Sequence, residues 1–425
     1  MNRTRNIGAL GLGVAIAIAV TACSTNAPAD GGDGSGAGTL RVASIPNYQA
    51  SLEALIPQFE KANPDIDVEV EFLDVASYHT TLRTQLTAGT APDVFSVFAG
   101  NGTPTAMEVL ATGGYLADLS DFAFNNGLST GYDATTKVDG KRLVLPYAAG
   151  AIGAIYNEQA IEAAGATVPT TYGELLEFCD AATEVGKVAF ALGAQTGWIN
   201  QLFNYAFTAT LVYGENPDFD EKQEAGKVTF ADSNWDEAVA KVLEMQERGC
   251  FQEAPLGTAY EGAVEMVASG DALSMAAVVS TYGALRAAAP EGTTFNMFAI
   301  PATDDAADTW MPAGAGGTYA INAAAKNADA AAQFIEFLGS AEAQVQIAEL
   351  QGSPPANTTG WDAPAYLQVI VDHLADGTVH PYADQLWPNP KVAEMHINGM
   401  QQVLGGQTTV EQMLKDMDAA YAEGD

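Results

Sequence analysis

The sequence predicts an α/β protein with a mostly parallel sheet, and the length of the chain predicts two lobes. Residues 40–100 read as strand, helix, strand, helix and strand. In the middle strand, Val68, Val70 and Phe72 alternate with acidic residues, which is typical of a strand with one buried face. Roughly 385 residues follow position 38, more than the ~250–300 that usually share one hydrophobic core.

Two amphipathic helices alternate with these strands. The first ends at Asn63-Pro64, because proline cannot continue a helix, and the second ends at Gly89, a favoured helix terminator. Their apolar residues recur at helical spacing and predict one buried face on each helix. These positions are Leu52, Leu55, Ile56 and Phe59 in the first helix and Tyr78, Leu82 and Leu86 in the second.

Candidate ligand-binding residues follow the first and third strands. In parallel α/β sheets, ligands bind beyond the carboxyl ends of the strands. We therefore expect a site near Asn47 and Tyr48, after the first strand, and near Phe98 and Asn101, after the third.

Three stretches resemble the extracellular solute-binding proteins of carbohydrate ABC importers, the family that includes maltose-binding protein. They read FEKANPDIDVEVEF from Phe59, LTAGTAPDVFSVF from Leu86 and VDGKRLVLPY from Val138. The resemblance implies a two-lobed periplasmic-binding-protein fold of type II, with a hinge made of three crossover segments. It implies a first lobe of residues 39–147 and 318–357 and a second lobe of residues 148–317 and 358–425.

The resemblance adds candidates near the hinge. Tyr147 precedes a small, glycine-bearing stretch and could either pack the hinge or form a ligand wall. Gly316 lies in a glycine-rich return to the first lobe, where the glycines could let the backbone approach a ligand or serve the crossover alone. Tyr282 follows a strand after which the family places a ligand-stacking aromatic. Trp387 falls where family members often bring an aromatic to the cleft mouth.

An aromatic residue beside amides follows the strand predicted at residues 190–194. Trp198 could stack on the apolar face of a sugar ring while Asn200 binds its hydroxyls, although a half-buried core tryptophan is the alternative. Together the candidates would form stacking walls (Tyr48, Trp198 and Tyr282) and hydroxyl-binding amides (Asn47, Asn101 and Asn200).

The first 22 residues have the layout of a secretory signal. Arg3 and Arg5 precede an apolar run of roughly 15 residues, which is short for a membrane span of about 20. The sequence VTAC resembles a bacterial lipobox, so we expect a lipoprotein signal peptide and a lipidated Cys23. A plain signal peptide that removes Cys23 is the alternative. Residues 23–38 are rich in Ala, Gly, Asp and Ser and predict a flexible tether.

The exported chain is strongly acidic. After loss of Arg3 and Arg5, 15 basic residues stand against 53 acidic ones, a formal net charge of −38. Such a surface repels phosphate backbones, which excludes nucleic-acid binding. We attribute the acidity to solubility in preference to a cationic substrate.

Cysteine and histidine usage limits the chemistry of the site. Cys179 and Cys250 predict a disulfide in an exported protein, with two buried free thiols as the alternative. The four histidines lack zinc-site spacing, and the sequence contains neither a nucleophile elbow nor a phosphate-binding loop. We therefore expect no metal, no cofactor and no catalytic residues.

The resemblance implies an extracytoplasmic, monomeric receptor that captures a sugar or oligosaccharide without turning it over. Its partners would be ABC permease subunits with a cytoplasmic ATPase, and a lipid on Cys23 would tie it to the outer face of the cytoplasmic membrane. Two alternatives stay open. One is a binding protein for another solute such as a polyamine, and the other is an extracellular glycoside hydrolase, which the number of carboxylates does not exclude.

Overall fold

The structure is a computed structural model that describes residues 38–128, 130–358 and 361–424. The export signal, Cys23 and all of the tether except Gly38 lie outside the described residues. The strands are β1 (Gly38–Ser44), β2 (Ile66–Phe72), β3 (Val94–Val97), β4 (Lys137–Val138), β5 (Lys141–Arg142), β6 (Leu145–Asn157), β7 (Val188–Phe190), β8 (Ala272–Val278), β9 (Phe295–Phe298), β10 (Met311–Ile321) and β11 (Val379–His380).

Helices cover both faces of the strands. The α-helices are α1 (Gln49–Ala62), α2 (Val75–Ala88), α3 (Met107–Thr112), α4 (Asp133–Thr136), α5 (Glu158–Ala164), α6 (Tyr172–Glu184), α7 (Leu202–Thr208), α8 (Phe219–Glu224), α9 (Trp235–Arg248), α10 (Tyr260–Ser269), α11 (Thr281–Ala288), α12 (Ala328–Leu338), α13 (Ala341–Gln351), α14 (Gln368–Asp376), α15 (Pro390–Leu404) and α16 (Val410–Ala422). A π-helix spans Ala209–Gly214. Short 3-10 helices span Pro46–Tyr48, Ala123–Gly127, Thr130–Tyr132, Gly197–Gln201, Pro255–Gly257, Ala306–Asp308, Ala365–Leu367 and Ala383–Leu386.

Nine strands form one mixed sheet that runs through both lobes in the order β2-β1-β3-β10-β6-β8-β7, with β9 on β6 and β11 on β10. In the first lobe, β1 runs parallel to β2 and β3. In the second lobe, β7 runs parallel to β8. The long strands β6 and β10 run antiparallel to each other. Strand β6 also runs antiparallel to β8, and β10 runs antiparallel to β3, so the sheet is mixed and not mostly parallel.

Three segments cross side by side between the lobes. The strands β6 and β10 pair from Leu145 opposite Tyr319 to Ala151 opposite Ala313. On the other side of β6, the Ala149 amide donates to the Pro354 carbonyl at 2.8 Å. The fold is therefore two-lobed with a hinge of crossover segments. The strand β6 continues without interruption through the small, glycine-bearing stretch that follows Tyr147.

Glycine is required where β6 and β10 are closest. A Cβ atom on Gly316 would lie 2.5 Å from the Gly150 amide nitrogen, and one on Gly150 would lie 2.7 Å from the Gly316 Cα. Real Cβ atoms do not approach backbone so closely. The register also shifts on both sides of Gly317, so the two strands meet at an irregular point in the ladder.

Each lobe has its own hydrophobic core. In the first lobe, α1, α12 and α13 pack on one face of the sheet, and Phe59 meets Phe334 edge to face at 5.0 Å. On the other face, Tyr78 of α2 is fully buried and donates to the Ser96 carbonyl. The second lobe has a larger aromatic core that includes Trp235 and Trp387.

A disulfide cross-links the second lobe. Cys179 of α6 and Cys250, which follows α9, are both fully buried and bonded to each other. The start of α6 is fixed by a capping box, in which Thr171 and Glu174 each bond the other's backbone amide. Within the described ranges, no helix is long and apolar enough to span a membrane.

The close contact of the crossing strands predicts a specific sensitivity to substitution. Gly316→Ala should destabilise the protein by about 1–3 kcal/mol, because the new methyl group has to push the backbone of β6 away. The measurement is the shift in Tm. Gly314→Ala on the same strand is the matched control, since its nearest atoms would lie 3.7–4.0 Å away, which is ordinary contact. Equal effects of the two substitutions would contradict this account.

The disulfide predicts sensitivity to reduction. It closes a loop with a sequence separation of 71, so breaking it should lower the free energy of unfolding by about 4 kcal/mol in the chain-entropy model. Urea unfolding with and without reductant measures this difference. The variant Cys179→Ala/Cys250→Ala should resemble the reduced protein and should not respond to reductant. If reductant lowers the stability of the oxidised wild-type protein no more than it lowers that of this variant, the prediction is wrong.

Candidate functional site

A cavity of about 790 Å³ lies between the two lobes, next to the crossing strands. The first lobe contributes residues at the carboxyl ends of β1 and β3 and one face of α2. The second lobe contributes the end of β8, the 3-10 helix Gly197–Gln201, α7 and α15. A volume of this size suits a ligand larger than a single small metabolite.

Aromatic side chains from both lobes line the cavity. Tyr48 packs edge to face against Tyr147 at 5.5 Å, and its hydroxyl donates to the Gly316 carbonyl at 3.3 Å. On the opposite wall, the half-buried Trp198 leans on Tyr260 at 5.3 Å. Each ring is therefore held by its neighbours while part of it lines the cavity.

The helix α2 presents a stripe of one apolar and two polar side chains to the cavity. Val75, His79 and Arg83 recur every four residues and all line it. The His79 ring lies 5.1 Å from that of Phe98, and its Nδ1 is 2.8 Å from the Thr105 hydroxyl. Burial, with a smaller contribution from Arg83, lowers the pKa of His79 to about 4. The imidazole is therefore neutral at pH 7 and can donate or accept a hydrogen bond.

Tyr205 of α7 is held in the second-lobe wall by two flanking rings. His396 stacks on it at 5.3 Å, and Trp387 meets it edge to face at 6.1 Å. Burial lowers the pKa of His396 to about 3, so this ring is neutral, and Asn204 bonds its Nε2 at 2.9 Å. Trp387 thus supports the cavity wall through Tyr205 and not by lining the cavity itself.

The segment 382–385 is anchored just before it reaches the cavity. His380 stacks on Tyr213 at 3.7 Å, and its Nε2 lies 2.8 Å from an Asp220 carboxylate oxygen. Its Nδ1 lies 2.7 Å from the Pro381 carbonyl oxygen. These contacts fix the chain that carries Tyr382, Asp384 and Gln385, all of which line the cavity.

Asp384 is a buried carboxylate in this wall. It is 9% exposed, and its Oδ1 makes no hydrogen bond within the described parts of the chain. Burial raises the pKa of Asp384 to about 6, against a smaller lowering by neighbouring amides and by Tyr205. The proximity of Asp384 also adds to the effect of burial in raising the pKa of Tyr205. The second-lobe wall therefore holds a carboxylate that ionises with difficulty.

The lobes touch directly beside Asp384. The Asn101 amide nitrogen donates to the Gln385 carbonyl at 3.0 Å, and its Nδ2 donates to the Pro388 carbonyl at 2.6 Å. A Cβ atom on Gly102 would lie 2.3 Å from the Asp384 carbonyl oxygen, so only glycine fits this contact. Loop 100–102 of the first lobe thus packs against the second lobe and bounds the cavity on this side.

The structure brings five of the ten predicted ligand-binding residues to the cavity and places the other five elsewhere. The lining residues are Asn47, Tyr48, Phe98, Trp198 and Gly316. The residues outside the lining are Asn101, Tyr147, Asn200, Tyr282 and Trp387.

The five residues outside the lining all pack within or between the lobes. The side-chain amide of Asn101 donates to the Pro388 carbonyl in the contact between the lobes. Tyr147 is 1% exposed and covers Gly317, where an added Cβ would lie 2.4 Å from its ring, so it takes the hinge-packing role of its two expected roles. Asn200 is buried and donates to the Ala194 carbonyl at 3.1 Å.

The two remaining aromatics make other contacts. Tyr282, in the first turn of α11, stacks on Tyr366 at 4.1 Å and covers Gly352. Trp387 is 1% exposed inside the aromatic core and not at a cleft mouth, since Phe230 and Trp235 surround it.

Sequence reasoning missed most of the polar lining. The residues it missed include His79, Arg83, Gln201, Tyr205, Gln351, Tyr382, Asp384, Gln385, Glu394 and Asn398. The stripe on α2 could have been found, because its four-residue spacing runs beside the buried stripe of Tyr78, Leu82 and Leu86 on the same helix. No local pattern distinguishes Asp384 or Gln385, which reach the cavity through tertiary packing.

Comparison with known proteins identifies the family. The model of the bacterial extracellular solute-binding protein family matches residues 43–345. The chain belongs to this family. Its binding proteins are extracellular, so an extracytoplasmic location follows for the present one. A curated relative, the multiple sugar-binding protein of Streptococcus mutans, is 24% identical over 312 residues, which cover 72% of each chain.

Solved structures share the fold of this binding protein. A sugar transporter protein from Bacillus licheniformis, solved with stachyose, superposes with a TM-score of 0.74 and 21% identity, covering 91% of this chain and 99% of the other. The GacH receptor of Streptomyces glaucescens, solved unliganded and with acarbose, gives a TM-score of 0.75 and 20% identity, covering 91% and 98%.

The cavity of this binding protein offers hydrogen bonds and aromatic faces in place of metal ligands. Among the residues that the structure describes, no group of three or more histidine, cysteine, aspartate or glutamate side chains could hold a metal ion. Aromatic faces suit the apolar side of a polar ring, and amide, hydroxyl and carboxylate groups suit its substituents. The arrangement is therefore suited to binding a polar ligand that also has apolar ring faces.

Asp384 predicts a stability that depends on pH. Its pKa is about 6 in the folded chain and about 3.9 when unfolded, so folding takes up a proton between these values and stability falls as pH rises through them. The difference corresponds to about 3 kcal/mol above pH 7. Asp384→Asn should therefore raise Tm at pH 7.5 and should change it little at pH 4. A lower Tm for the variant at pH 7.5 would contradict this prediction.

Proposed function

We propose that this chain is the extracytoplasmic substrate-binding component of an ABC importer that captures a sugar or oligosaccharide between its two lobes. The observation that carries the proposal is the cavity between lobes, in which the faces of Tyr48 and Trp198 lie with amide and carboxylate side chains. Sugars combine apolar ring faces with many hydroxyls, and this combination matches the lining.

The names of similar proteins support this choice of ligand. The Streptococcus mutans relative is called a multiple sugar-binding protein, and the two structural neighbours were solved with the oligosaccharides stachyose and acarbose. A cavity of about 790 Å³ also has room for several sugar units, which favours an oligosaccharide.

The mechanism follows from the crossing strands. A sugar held by both lobes binds the closed arrangement more tightly than an open one, so it shifts the population towards closure. The closed form then docks on permease subunits powered by a cytoplasmic ATPase. A lipid on Cys23 keeps the protein at the outer face of the cytoplasmic membrane, where it works as a monomer. Its first lobe comprises residues 39–147 and 318–357, and its second lobe comprises residues 148–317 and 358–425.

We further propose that the protein binds its ligand without turnover. The carboxylates in the lining are the buried Asp384 and the exposed Glu394. A glycoside hydrolase would need an acid and a base or nucleophile that flank one bond. Prolonged incubation with an oligosaccharide should release no reducing sugar, and release by the purified protein would favour the hydrolase.

Calorimetry tests the proposed ligand class directly. The protein beginning at Ser24 lacks the cysteine that would carry the lipid but keeps the whole described fold. Titration with mono-, di- and trisaccharides should give a micromolar affinity, about −8 kcal/mol, for at least one sugar. Heat from spermidine with none from any sugar would replace the carbohydrate ligand with a polyamine and would leave the fold unchanged.

Trp198 should carry a measurable share of the affinity. Trp198→Ala should weaken binding by ~1–3 kcal/mol, by analogy with base stacking on aromatic side chains, because it removes an aromatic face from the cavity. Trp310→Ala is the matched control, since this half-buried tryptophan packs over Gly214 outside the lining. An affinity that stays the same in Trp198→Ala would remove this residue from the site.

A further inference from the structure

The strongest unexplained feature of the cavity is the carboxylate of Asp384. It belongs to the 3-10 helix Ala383–Leu386 and lines the cavity, yet nine-tenths of the residue is buried. Its Oδ1 makes no hydrogen bond of ordinary geometry with the described residues, and neither does the Tyr205 hydroxyl beside it, although Tyr205 is close enough to help lower the pKa of Asp384. A buried carboxylate oxygen without a partner is costly, so its place in a ligand cavity calls for a functional reason.

The surroundings of Asp384 supply no cation to pair with it. No ion pair of the described residues includes Asp384. On α15, Lys391 pairs with Glu423, and Glu394 is exposed. His396 of the same helix is neutral, because burial lowers its pKa to about 3.

Other elements packed around Asp384 contribute only neutral groups at pH 7. Tyr205 of α7 and Tyr382 are tyrosines whose pKa values are raised by burial, with Asp384 adding to the effect. Loop 100–104 of the first lobe contains no titratable side chain. The carboxylate therefore has no cationic partner among these groups, and the cation that α2 brings to the same cavity is Arg83.

Neighbouring amides add to a surplus of acceptors at this end of the cavity. The Gln385 Nε2 donates to the Ala315 carbonyl, which leaves its Oε1 buried and without a partner. The Gln201 Oε1 is likewise buried and without a partner in the described residues. A ligand that satisfies these oxygens has to bring hydrogen-bond donors.

We propose that Asp384 is a specificity-determining residue that accepts a hydrogen bond from a donor group of the ligand, a hydroxyl or an amine, at the end of the cavity next to loop 100–102. The inference rests on the proposed function and refines it. Ligands whose group at this position is deoxygenated or O-methylated bind weakly, because they leave the carboxylate buried without a partner.

The cost of keeping Asp384 supports this role. Its raised pKa means that the ionised carboxylate destabilises the folded protein at neutral pH. A buried carboxylate that lowers stability and forms no ion pair is typical of a binding site. If Asp384 had a structural role, its replacement would lower Tm instead of raising it.

The test measures affinity and stability together in Asp384→Asn, which keeps the shape of the side chain and removes its charge. With the protein from Ser24, calorimetry at pH 7.5 uses raffinose, maltotriose and spermidine as probes. We expect the variant to bind the sugar that the wild type binds about ten- to a hundredfold more weakly, while its ligand-free Tm rises. A Tm that falls together with affinity would assign Asp384 a structural role and overturn the proposal.

A matched control and a pH series complete the experiment. Asp418→Asn also removes a partly buried carboxylate with a raised pKa in the same lobe, but Asp418 caps Phe230 and Ala231 outside the cavity and should leave affinity unchanged. Wild-type affinity should fall as pH drops from 7.5 to 5, because Asp384 is protonated, whereas His79, with a pKa of about 4, stays neutral. The affinity of Asp384→Asn should not change over this range.

The outcomes separate the two proposals. Equal sugar affinity in the wild type and Asp384→Asn would overturn the role of Asp384 and leave the sugar receptor standing. A wild type that binds only spermidine would overturn the sugar receptor. In that case, loss of spermidine binding in Asp384→Asn would assign an ammonium as the donor, and unchanged binding would overturn the role of Asp384 as well.

Discussion

The backbone contact between β6 and β10 is the constraint on which the two-lobed arrangement depends. Both strands run through both lobes, so the close contact between Gly150 and Gly316 fixes the boundary between the two lobes. Because neither glycine has a Cβ atom, the strands can approach closely, and the missing side chain of Gly317 leaves room for the Tyr147 ring. The register shifts at Gly317 interrupt the ladder at the same place, which is where a change in the angle between the lobes meets least resistance.

Buried polar groups occur in the lobe cores and in the cavity wall, and in both places only some of them have partners. In the cores, Asp93 bonds the amides of Lys326 and Asn327 at the start of α12, whereas the side-chain amide of the buried Gln223 makes no hydrogen bond among the described residues. In the cavity wall, several oxygens lack partners, including those of Asp384 and Gln201. Rigid neighbours hold them in place, so the binding protein keeps polar groups ready for a ligand at a cost in stability.

Local sequence rules predicted the elements well and predicted the cavity only in part. The helix ends at Asn63-Pro64 and Gly89 depend on neighbours within four residues, and both are present. The directions of β1 and β3 predicted a site beyond their carboxyl ends, where Tyr48 and Phe98 line the cavity, and their contact with a ligand stays a prediction.

Predictions failed where the face of an element decided the outcome. Tyr282 lies on the first turn of α11, and a shift of a residue or two in that turn decides whether a side chain meets the cavity or Tyr366. Trp387 was predicted to reach the ligand, but a large aromatic ring gains more by filling the core with Trp235. Asp384 reaches the cavity because the chain returns from far along the sequence, which no local pattern encodes.

The disulfide encloses more than the second-lobe core. The covalent loop from Cys179 to Cys250 contains Trp198, Gln201 and Tyr205, which form one wall of the cavity. Closing this loop restricts the conformations that the wall can sample before a ligand arrives, so less conformational entropy remains to be lost on binding. An oxidising environment outside the cell therefore contributes to ligand affinity as well as to the durability of the fold.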